Sequence, residues 1–341
     1  MARTKALYSI DVHNHVLQNE WFADLRKDHD QFVPELIKES TSSQKFSLKV
    51  GSSGIQARFI PETMFDLKKR RAELKRLRID IQVLSAVPFL FFYDLPPESA
   101  VILNRAQNEG IAQVVRDYSY DFIGLCSVPM QDQSSAASEL EHAIRNLGLK
   151  GVEIGSNING VNLDDRSLWP FYKKVQELRV PIMVHPVSSG FRRLDKYYLA
   201  NFLGNPLETS IAISSIVFGG VLESFPSLKF YFVHGGGFVP YQRGRLSHGF
   251  KVRPEPKEII KRDPEFYLKQ IYFDSVLHYA PALEYLIKTH GPNRILLGSD
   301  YPFDMKVSRP VDNVSDLNLS AIDKARVIEE NAAELFSLKL R

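Results

Sequence analysis

Short apolar runs alternate with longer amphipathic stretches along nearly the whole chain. Apolar residues at helical spacing follow most of the runs, and the runs themselves have the length of strands. This alternation is typical of a parallel sheet built from β-α-β units. Eight runs are predicted to form strands, at residues 7–13, 79–87, 122–129, 151–155, 180–185, 229–234, 270–274 and 294–299.

The number of runs favours one architecture. Eight β-α units can close into a (β/α)8 TIM barrel, in which the carboxyl ends of the strands carry the active site. An open doubly wound sheet is the alternative, but the chain lacks the glycine-rich phosphate-binding turn of that fold. We therefore predict an α/β fold, a TIM barrel, as a single domain over residues 1–341. A last amphipathic helix, at residues 320–336, is predicted to cover the barrel.

The segment between the first two predicted strands is unusually long and partly polar. Apolar and polar side chains alternate at residues 45–50 and 55–60, and the Gly-Ser-Ser-Gly sequence between these segments is typical of a hairpin turn. We predict an insertion after the first strand, over residues 26–64, with a β-hairpin near residues 45–60. Arg58 is expected on the polar face of this hairpin.

Composition narrows the classes of function. With 341 residues, 44% hydrophobic and 24% charged, the chain can bury a large core and has no compositional sign of disorder. The formal net charge is only +3. Basic residues cluster at 68–78, Arg70 among them, but their spacing around leucines is typical of a solvated helix face, so we predict no nucleic-acid partner.

The single cysteine and the apolar segments bear on localisation. Cys126 has no partner for a disulfide within the chain and is predicted to be a packed core thiol. The first residues lead into a strand without a signal-peptide core, and no apolar stretch is long enough to span a bilayer. We therefore expect a soluble cytoplasmic protein with no membrane partner.

Four of the apolar runs end in residues that can bind a metal ion or carry a proton. His13 and His15 end the first run, and alternate residues of a strand point to the same side. His185 ends the fifth run, His234 ends the sixth, and Asp300 follows the eighth. A catalytic zinc site uses a few imidazole and carboxylate ligands and keeps one position open. We predict that His13, His15, His185 and Asp300 bind one ion, Zn²⁺ or another divalent transition metal.

His234 differs from the other four because three glycines follow it. Glycines let the backbone approach the site closely and leave the imidazole beside open space. We predict that His234 is catalytic, taking a proton from a metal-bound water whose pKa the ion lowers. Asp300 would bind the metal and also share this proton network. Two alternatives remain open for His234: a fifth metal ligand, or a structural imidazole.

These motifs together resemble the amidohydrolase superfamily over almost the full chain. The residues that carry the resemblance are His13-Asn14-His15, His185-Pro186, the His234-Gly-Gly-Gly segment and Gly298-Ser299-Asp300-Tyr301-Pro302-Phe303. Within the superfamily, narrower stretches are similar to the family of 2-amino-3-carboxymuconate-6-semialdehyde decarboxylases. Those stretches are Leu84-Ser85-Ala86-Val87-Pro88, Glu208-Thr209-Ser210 and Gly244-Arg245-Leu246-Ser247-His248-Gly249-Phe250.

The resemblance implies a zinc-dependent, non-oxidative decarboxylase of an unsaturated or aromatic carboxylic acid. It further implies that Arg58 and Arg245 bind substrate carboxylates, and that Arg245 reaches the site of a neighbouring subunit in a homodimer. A planar guanidinium suits this task because it binds a carboxylate through two hydrogen bonds and stays charged. Without the resemblance, Arg58 would be interpreted as an exposed hairpin charge and Arg245 as a helix-surface ion pair. The chain departs from the family at Val187, where an aromatic residue usually follows the His-Pro pair.

Two other functions fit the same predicted ligands. The first is hydrolysis of an amide or lactone, as is common in the wider superfamily. A dicarboxylate suits two arginines better, and the run Gly151-Val152-Glu153-Ile154-Gly155 offers no lysine to bridge two metals, although Glu153 could interact with the site or pack near it. The second is a non-catalytic barrel stabilised by zinc, but structural zinc is usually enclosed by four ligands, commonly with cysteine.

Overall fold

The computed structural model describes residues 8–40, 45–51, 54–187 and 190–339. Strands and helices alternate along these residues, as the apolar pattern predicts. The strands are β1 (Ile10–Asp11), β2 (Pro34–Lys38), β3 (Lys45–Val50), β4 (Gly54–Pro61), β5 (Ile81–Leu84), β6 (Phe122–Gly124), β7 (Val152–Gly155), β8 (Asn157–Ile158), β9 (Val161–Asn162), β10 (Pro181–His185), β11 (Lys229–Phe232), β12 (Tyr272–Asp274) and β13 (Ile295–Leu296). Three parts of the predictions lie outside the described residues. They are the segment before the first strand, the first residue of that predicted strand and the middle of the predicted hairpin turn.

Most of the longer helices follow a parallel strand. The helices are α1 (Arg26–His29), α2 (Leu67–Leu77), α3 (Pro97–Asp117), α4 (Gln133–Arg145), α5 (Trp169–Leu178), α6 (Asn205–Phe218), α7 (Val221–Ser224), α8 (Val239–Val252), α9 (Pro264–Leu268), α10 (Ala280–His290), α11 (Pro310–Ser315), α12 (Ala321–Ala325) and α13 (Asn331–Leu335). The predicted last helix is present, but a π-helical turn at Arg326–Glu330 separates α12 from α13. Within the described part of the chain, no helix has the length and apolar character needed to cross a membrane.

The parallel strands form two sheets. One has the order β1-β5-β6 and the other the order β13-β12-β11-β10-β7. Each of the eight predicted runs contains one of these strands, and the α/β class is confirmed. Backbone hydrogen bonds also join the edges of the two sheets. Val12 N donates to the carbonyl of Leu297, and Cys126 N donates to the carbonyl of Gly151; the donor–acceptor distance is 2.9 Å in each bond.

Apolar side chains from the two parallel sheets pack against one another. Met183 and Tyr231 are fully buried and belong to one cluster with Val12 and Val83. Phe336, just after α13, joins the same cluster, so α13 and the residue that follows it pack against the core. This apolar cluster therefore joins strands of both parallel sheets.

The chain between β1 and β5 forms a separate antiparallel sheet with the order β2-β3-β4. Leu48 in β3 lies opposite Leu36 in β2 and Ala57 in β4. The strand β2 was not predicted from the sequence. Its Leu36 is buried with Leu48 and Ile60 against residues that follow β5, so this sheet packs beside the carboxyl end of β5.

Arg70 contradicts the prediction that residues 68–78 are a solvated basic face. Its side chain in α2 is fully buried. Leu67, Arg70 and Leu74 are spaced by three and four residues, so they lie on the same side of the helix, which is the side that packs inward. The helical periodicity was correct, but the charge of Arg70 concealed its place on the buried face.

Candidate metal centre

His13, His15, His185 and Asp300 come together at the carboxyl ends of β1, β10 and β13. One potential ligand atom of each residue lies within 4.8 Å of those of the other three. The ring centroids of His15 and His185 are 5.0 Å apart, and those of His13 and His185 are 5.4 Å apart. All four side chains are buried. Residues separated by almost 300 positions therefore form one compact cluster.

The hydrogen bonds of the three imidazoles leave one nitrogen of each ring available. Nδ1 of His13 lies 2.6 Å from the carboxylate of Asp274, Nδ1 of His15 lies 2.7 Å from the carbonyl of Ala86, and Nδ1 of His185 lies 2.9 Å from that of Pro186. A proton on each Nδ1 leaves a lone pair on Nε2, the arrangement found in metal-binding histidines.

Unsatisfied polar atoms show that the cluster fits a cation. Nε2 of His13, Nε2 of His15 and Oδ1 of Asp300 are buried and have no hydrogen-bond partner among the described residues. Oδ1 of Asp300 lies 3.4 Å from Nε2 of His13 and 3.5 Å from Nε2 of His15. Buried polar atoms without partners are costly, and a bound divalent ion would satisfy all three.

The charges of the cluster are strongly coupled. Burial lowers the pKa of His13, but the carboxylates of Asp300 and Asp274 outweigh it and raise that pKa to about 9. Burial lowers the pKa of His15, and burial with the neighbouring histidines holds the pKa of His185 well below its usual value. Burial alone would raise the pKa of Asp300, but His13 holds it well below the usual range. In the metal-free protein, a protonated His13 therefore faces an ionised Asp300.

Asp274 is a site residue that the sequence analysis missed. It ends β12, and its Oδ2 fixes the Nδ1 side of His13, while its Oδ1 accepts hydrogen bonds from the backbone N–H groups of Gly235 and Val276. One carboxylate thus orients a candidate ligand and holds the loop that follows His234. The sequence did contain a signal for Asp274, because it is a carboxylate at the end of a predicted strand, as Asp300 is. It lies outside the motifs that carry the resemblance.

Glu153 lies in β7, and its carboxyl group is fully buried. Burial raises the pKa of this group well above its usual value and so favours its uncharged form. An uncharged carboxyl group is a poor ligand for a divalent cation. Of the two possibilities that the sequence left open, the structure therefore favours a residue that packs near the site.

His234 approaches the cluster from the end of β11. Its Nε2 lies 3.7 Å from Oδ2 of Asp300, and its ring centroid lies 5.1 Å from that of His13. The backbone of His234 has φ 54° and that of Asp300 has φ 60°, a left-handed conformation that non-glycine residues seldom adopt. A Cβ atom on Gly237 would lie 2.2 Å from the carbonyl of Pro206, so only glycine fits at that position.

His185, His234 and Asp300 also line a cavity of about 460 Å³. Phe89, Val187 and Phe303 contribute apolar wall, and the ring centroid of Phe303 lies 5.1 Å from that of His15. The further lining residues are Pro88, Pro186, Tyr198, Ala200, Asn201, Asn205 and Asp304. The candidate centre is thus open on one side to a space that can hold a small organic molecule.

The structure does not bring the two predicted substrate arginines into this cavity. Arg58 in β4 and Arg245 in α8 are both exposed. The described residues that line the cavity include no lysine or arginine.

The geometry defines a class of protein: an α/β fold with a candidate mononuclear metal centre at the carboxyl ends of parallel strands, open to a cavity. The chain belongs to the amidohydrolase family, whose sequence profile matches residues 10–338.

Two curated relatives match most of the chain. A 2-amino-3-carboxymuconate-6-semialdehyde decarboxylase of Dictyostelium discoideum is 36% identical and covers 96% of this chain and 91% of the relative. The protein of the same name from Caenorhabditis elegans is 30% identical, with 96% and 94% covered. Both are named decarboxylases, which confirms the predicted class of enzyme, a carbon–carbon lyase.

A solved structure shares the fold. The dihydroxybenzoic acid decarboxylase of Polaromonas sp. JS666, crystallised with manganese and the inhibitor 2-nitroresorcinol, superposes with a TM-score of 0.79. The match covers 97% of each chain at 23% identity. At this identity the likeness concerns the fold.

Proposed function

We propose that this protein is a metal-dependent, non-oxidative decarboxylase acting on 2-amino-3-carboxymuconate-6-semialdehyde or a related unsaturated or aromatic carboxylic acid. The observation that carries the proposal is the set of buried, partnerless Nε2 and carboxylate oxygen atoms beside an apolar cavity. The names of the two curated relatives support the substrate class. We also propose that the eight parallel strands close into one barrel domain over residues 1–341, carrying an insertion at 26–64.

His13, His15, His185 and Asp300 would hold the ion, which we propose to be Zn²⁺. Three imidazoles and one carboxylate form a ligand set that suits zinc, and Mn²⁺ also fits because the related Polaromonas structure holds manganese. A divalent ion at this place would supply Lewis-acid stabilisation of negative charge that develops on an oxygen atom.

His234 would move the proton that the reaction requires. Loss of CO2 breaks a carbon–carbon bond and leaves its electron pair on the substrate, so a proton must be delivered to the substrate skeleton. The imidazole of His234 lies beside the cluster and lines the cavity, within reach of a molecule bound there. The protein is then a lyase in which Asp300 serves as ligand and shares a proton network with His234.

Binding of the substrate carboxylates is assigned to Arg58 and Arg245, with Arg245 donated by a second copy of the chain. For Arg245 the support is that the described residues of one chain that line the cavity include no lysine or arginine, and for Arg58 it is the resemblance alone. A homodimer would supply the missing guanidinium. The buried, unpaired Cys126 supports a reducing, cytoplasmic location.

Turnover of a substrate panel tests the proposal. Purified protein loaded with Zn²⁺ is incubated with carboxylated muconate semialdehydes, hydroxybenzoates, lactones and amides, while CO2 release and acid release are recorded separately. We expect CO2 release in parallel with loss of the carboxylated substrate, abolished by chelation and restored by the metal. Acid release from a lactone or amide without CO2 would instead identify a hydrolase. A folded, metal-loaded protein that turns over no member of the panel would favour a non-catalytic zinc barrel.

A further inference from the structure

The buried guanidinium of Arg70 contacts the segment that carries His13 and His15. Its Nη1 donates a 2.7 Å hydrogen bond to the carbonyl oxygen of His15, and its Nη2 donates one of 2.7 Å to Oδ1 of Asn14. Its Nε donates to Oε1 of Gln82 over 2.8 Å. All three nitrogens of the guanidinium are thus used, and two of them bind the His-Asn-His motif directly.

The same network continues to the other candidate ligands. Gln82 Nε2 donates to Oδ2 of Asp11 over 2.7 Å, and Ser299 Oγ donates to the same oxygen over 2.6 Å. The other carboxylate oxygen of Asp11 accepts the backbone N–H of His13 at 3.2 Å. Arg70 and Asp11 therefore lie at two ends of one chain of hydrogen bonds that touches the segments carrying His13, His15 and Asp300.

Burying the charged side chain of Arg70 costs free energy, which indicates that this residue has a role other than stabilising the fold. Its three direct acceptors are a carbonyl and two side-chain amide oxygens, so no carboxylate pairs with it directly among these contacts. The ring of Tyr301 lies 4.9 Å from the guanidinium carbon and offers a further, weaker attraction. Buried charges are costly, and apolar residues of similar size often replace them without loss of stability. At this helix position, between Leu67 and Leu74, a leucine would satisfy the packing.

We propose that Arg70 is a positioning residue for the metal centre. By holding the carbonyl of His15 and the side chain of Asn14, it fixes the backbone between the two histidines and so the direction of both imidazoles. Hydrogen bonds that orient metal ligands from behind commonly contribute 10- to 100-fold to metal affinity. The inference rests on the metal binding that we propose, and not on the reaction catalysed.

The test compares Arg70→Lys with Arg71→Ala in the full-length protein. Lysine keeps the positive charge but cannot serve three acceptors in one plane. Arg71 is the next residue of α2, is partly exposed and pairs with Asp121 at the surface, so it controls for changes to the helix. The Zn²⁺ dissociation constant is measured by competition with a chromogenic chelator, and the unfolding of the metal-free protein is measured in urea.

We expect Arg70→Lys to weaken Zn²⁺ binding by about 10- to 100-fold, and Arg71→Ala to change it by less than about twofold. A purely structural Arg70 would lower the urea midpoint of the metal-free protein and leave the Zn²⁺ dissociation constant of the folded protein unchanged. That result would overturn the inference. If Arg70→Lys does not fold, Gln82→Leu removes the amide that joins Arg70 to Asp11 and must weaken Zn²⁺ binding in the same way; an unchanged constant there would also overturn it.

Chemical rescue gives a readout that a general loss of stability would not produce. Arg70→Ala leaves a buried space of guanidinium shape beside the carbonyl of His15. Millimolar guanidinium, far below denaturing concentrations, should restore part of the Zn²⁺ affinity of this variant and have no such effect on the wild-type protein. No rescue in a folded variant would count against the inference. A wild-type chain that binds no metal would instead contradict the proposed function itself.

Discussion

The candidate metal centre has two unlike sides. On the deep side, His13, His15 and Asp274 are fully buried and linked by hydrogen bonds to one another or to backbone carbonyls. At the cavity mouth, Phe89 and Tyr198 are each 50% exposed. Tyr198 makes a hydrogen bond of 3.3 Å to Asp304, another exposed residue. The deep side is thus held by hydrogen bonds between buried groups, whereas these residues of the mouth are half exposed.

This difference separates metal binding, on the deep side, from selection of the substrate, at the mouth. A metal ion needs ligands at fixed directions, so the positions that hold it are buried and supported from behind. A substrate is selected by the shape and polarity of the walls, and such walls can change without disturbing the core. We therefore expect substitutions on the deep side to alter metal binding and chemistry, and substitutions at the mouth to alter the choice of substrate.

The largest effect is expected at His234, which touches both sides. His234→Asn should keep the metal content of the wild-type protein and lower kcat by about 10²- to 10⁴-fold, because the proton carrier is lost while the ligands remain. Metal analysis and turnover are measured on the same sample. His248→Asn, an exposed histidine of α8, serves as the control and should behave as the wild-type protein. A fully active His234→Asn protein would reject the catalytic role.

Asp274→Asn should produce the next largest change. The amide cannot accept the Nδ1 proton of His13 with the strength of a carboxylate, so the metal dissociation constant should rise about 10- to 100-fold. Asp316→Asn offers an exposed control near the carboxyl end of the chain. Unchanged affinity in Asp274→Asn would mean that the orientation of His13 does not depend on this contact.

Metal affinity should depend on pH through His13. Its pKa in the metal-free protein is raised to about 9, so a proton competes with the ion below that pH. Affinity should rise by about tenfold per pH unit up to about pH 9 and then level off. The stabilisation that the proton gives to the metal-free fold is fully present below the ordinary histidine pKa, near 6.5, and is lost as the pH rises through 9.

Chelator competition from pH 6 to 10 measures the dependence of affinity, and urea unfolding of the metal-free protein measures that of stability. Asp274→Asn removes one of the carboxylates that raise the pKa of His13, so its affinity should level off at a lower pH. An affinity that is flat across the range would show that His13 is already neutral, contrary to the charge pattern of the cluster.

The smallest effect is expected at the mouth. Tyr198→Phe removes one hydrogen bond between exposed groups, so we expect a change of about twofold to fivefold in KM and none in metal content. Tyr197→Phe alters a neighbour that is 82% exposed and should have no effect. If Tyr198→Phe lost metal or most of its kcat, the separation between the two sides would fail.

The deep side could largely be predicted from the sequence, because strand ends, alternate residues and apolar runs follow simple geometry. The positions of His13, His15, His185 and Asp300 needed only the parallel arrangement of β1, β10 and β13. Two supports escaped prediction. Arg70 carries a charge that masked a buried helix position, and Asp274 lies outside any recognised motif.

The part of the mouth around Tyr198 was beyond such reasoning for a physical reason. Tyr198 and Asn201 lie in an irregular segment that includes the π-helical turn Ala200–Gly204, where no periodicity relates the sequence to direction. Their places are set by contacts with distant loops, such as that of Tyr198 with Asp304. Arg58 and Arg245 remain predictions, because neither side chain lines the cavity of one chain, and the role of Arg245 depends on a partner chain.

Anomalous diffraction shows directly whether His13, His15, His185 and Asp300 hold one metal ion. Crystals of the protein soaked in Zn²⁺ would be measured at the zinc absorption edge, alongside crystals of His185→Ala. We predict one anomalous peak per chain, about 2.0–2.2 Å from the Nε2 atoms of His13, His15 and His185 and from a carboxylate oxygen of Asp300, and its loss in the variant. No peak at this place in the wild-type protein, or a peak that persists unchanged in His185→Ala, would rule out this metal centre.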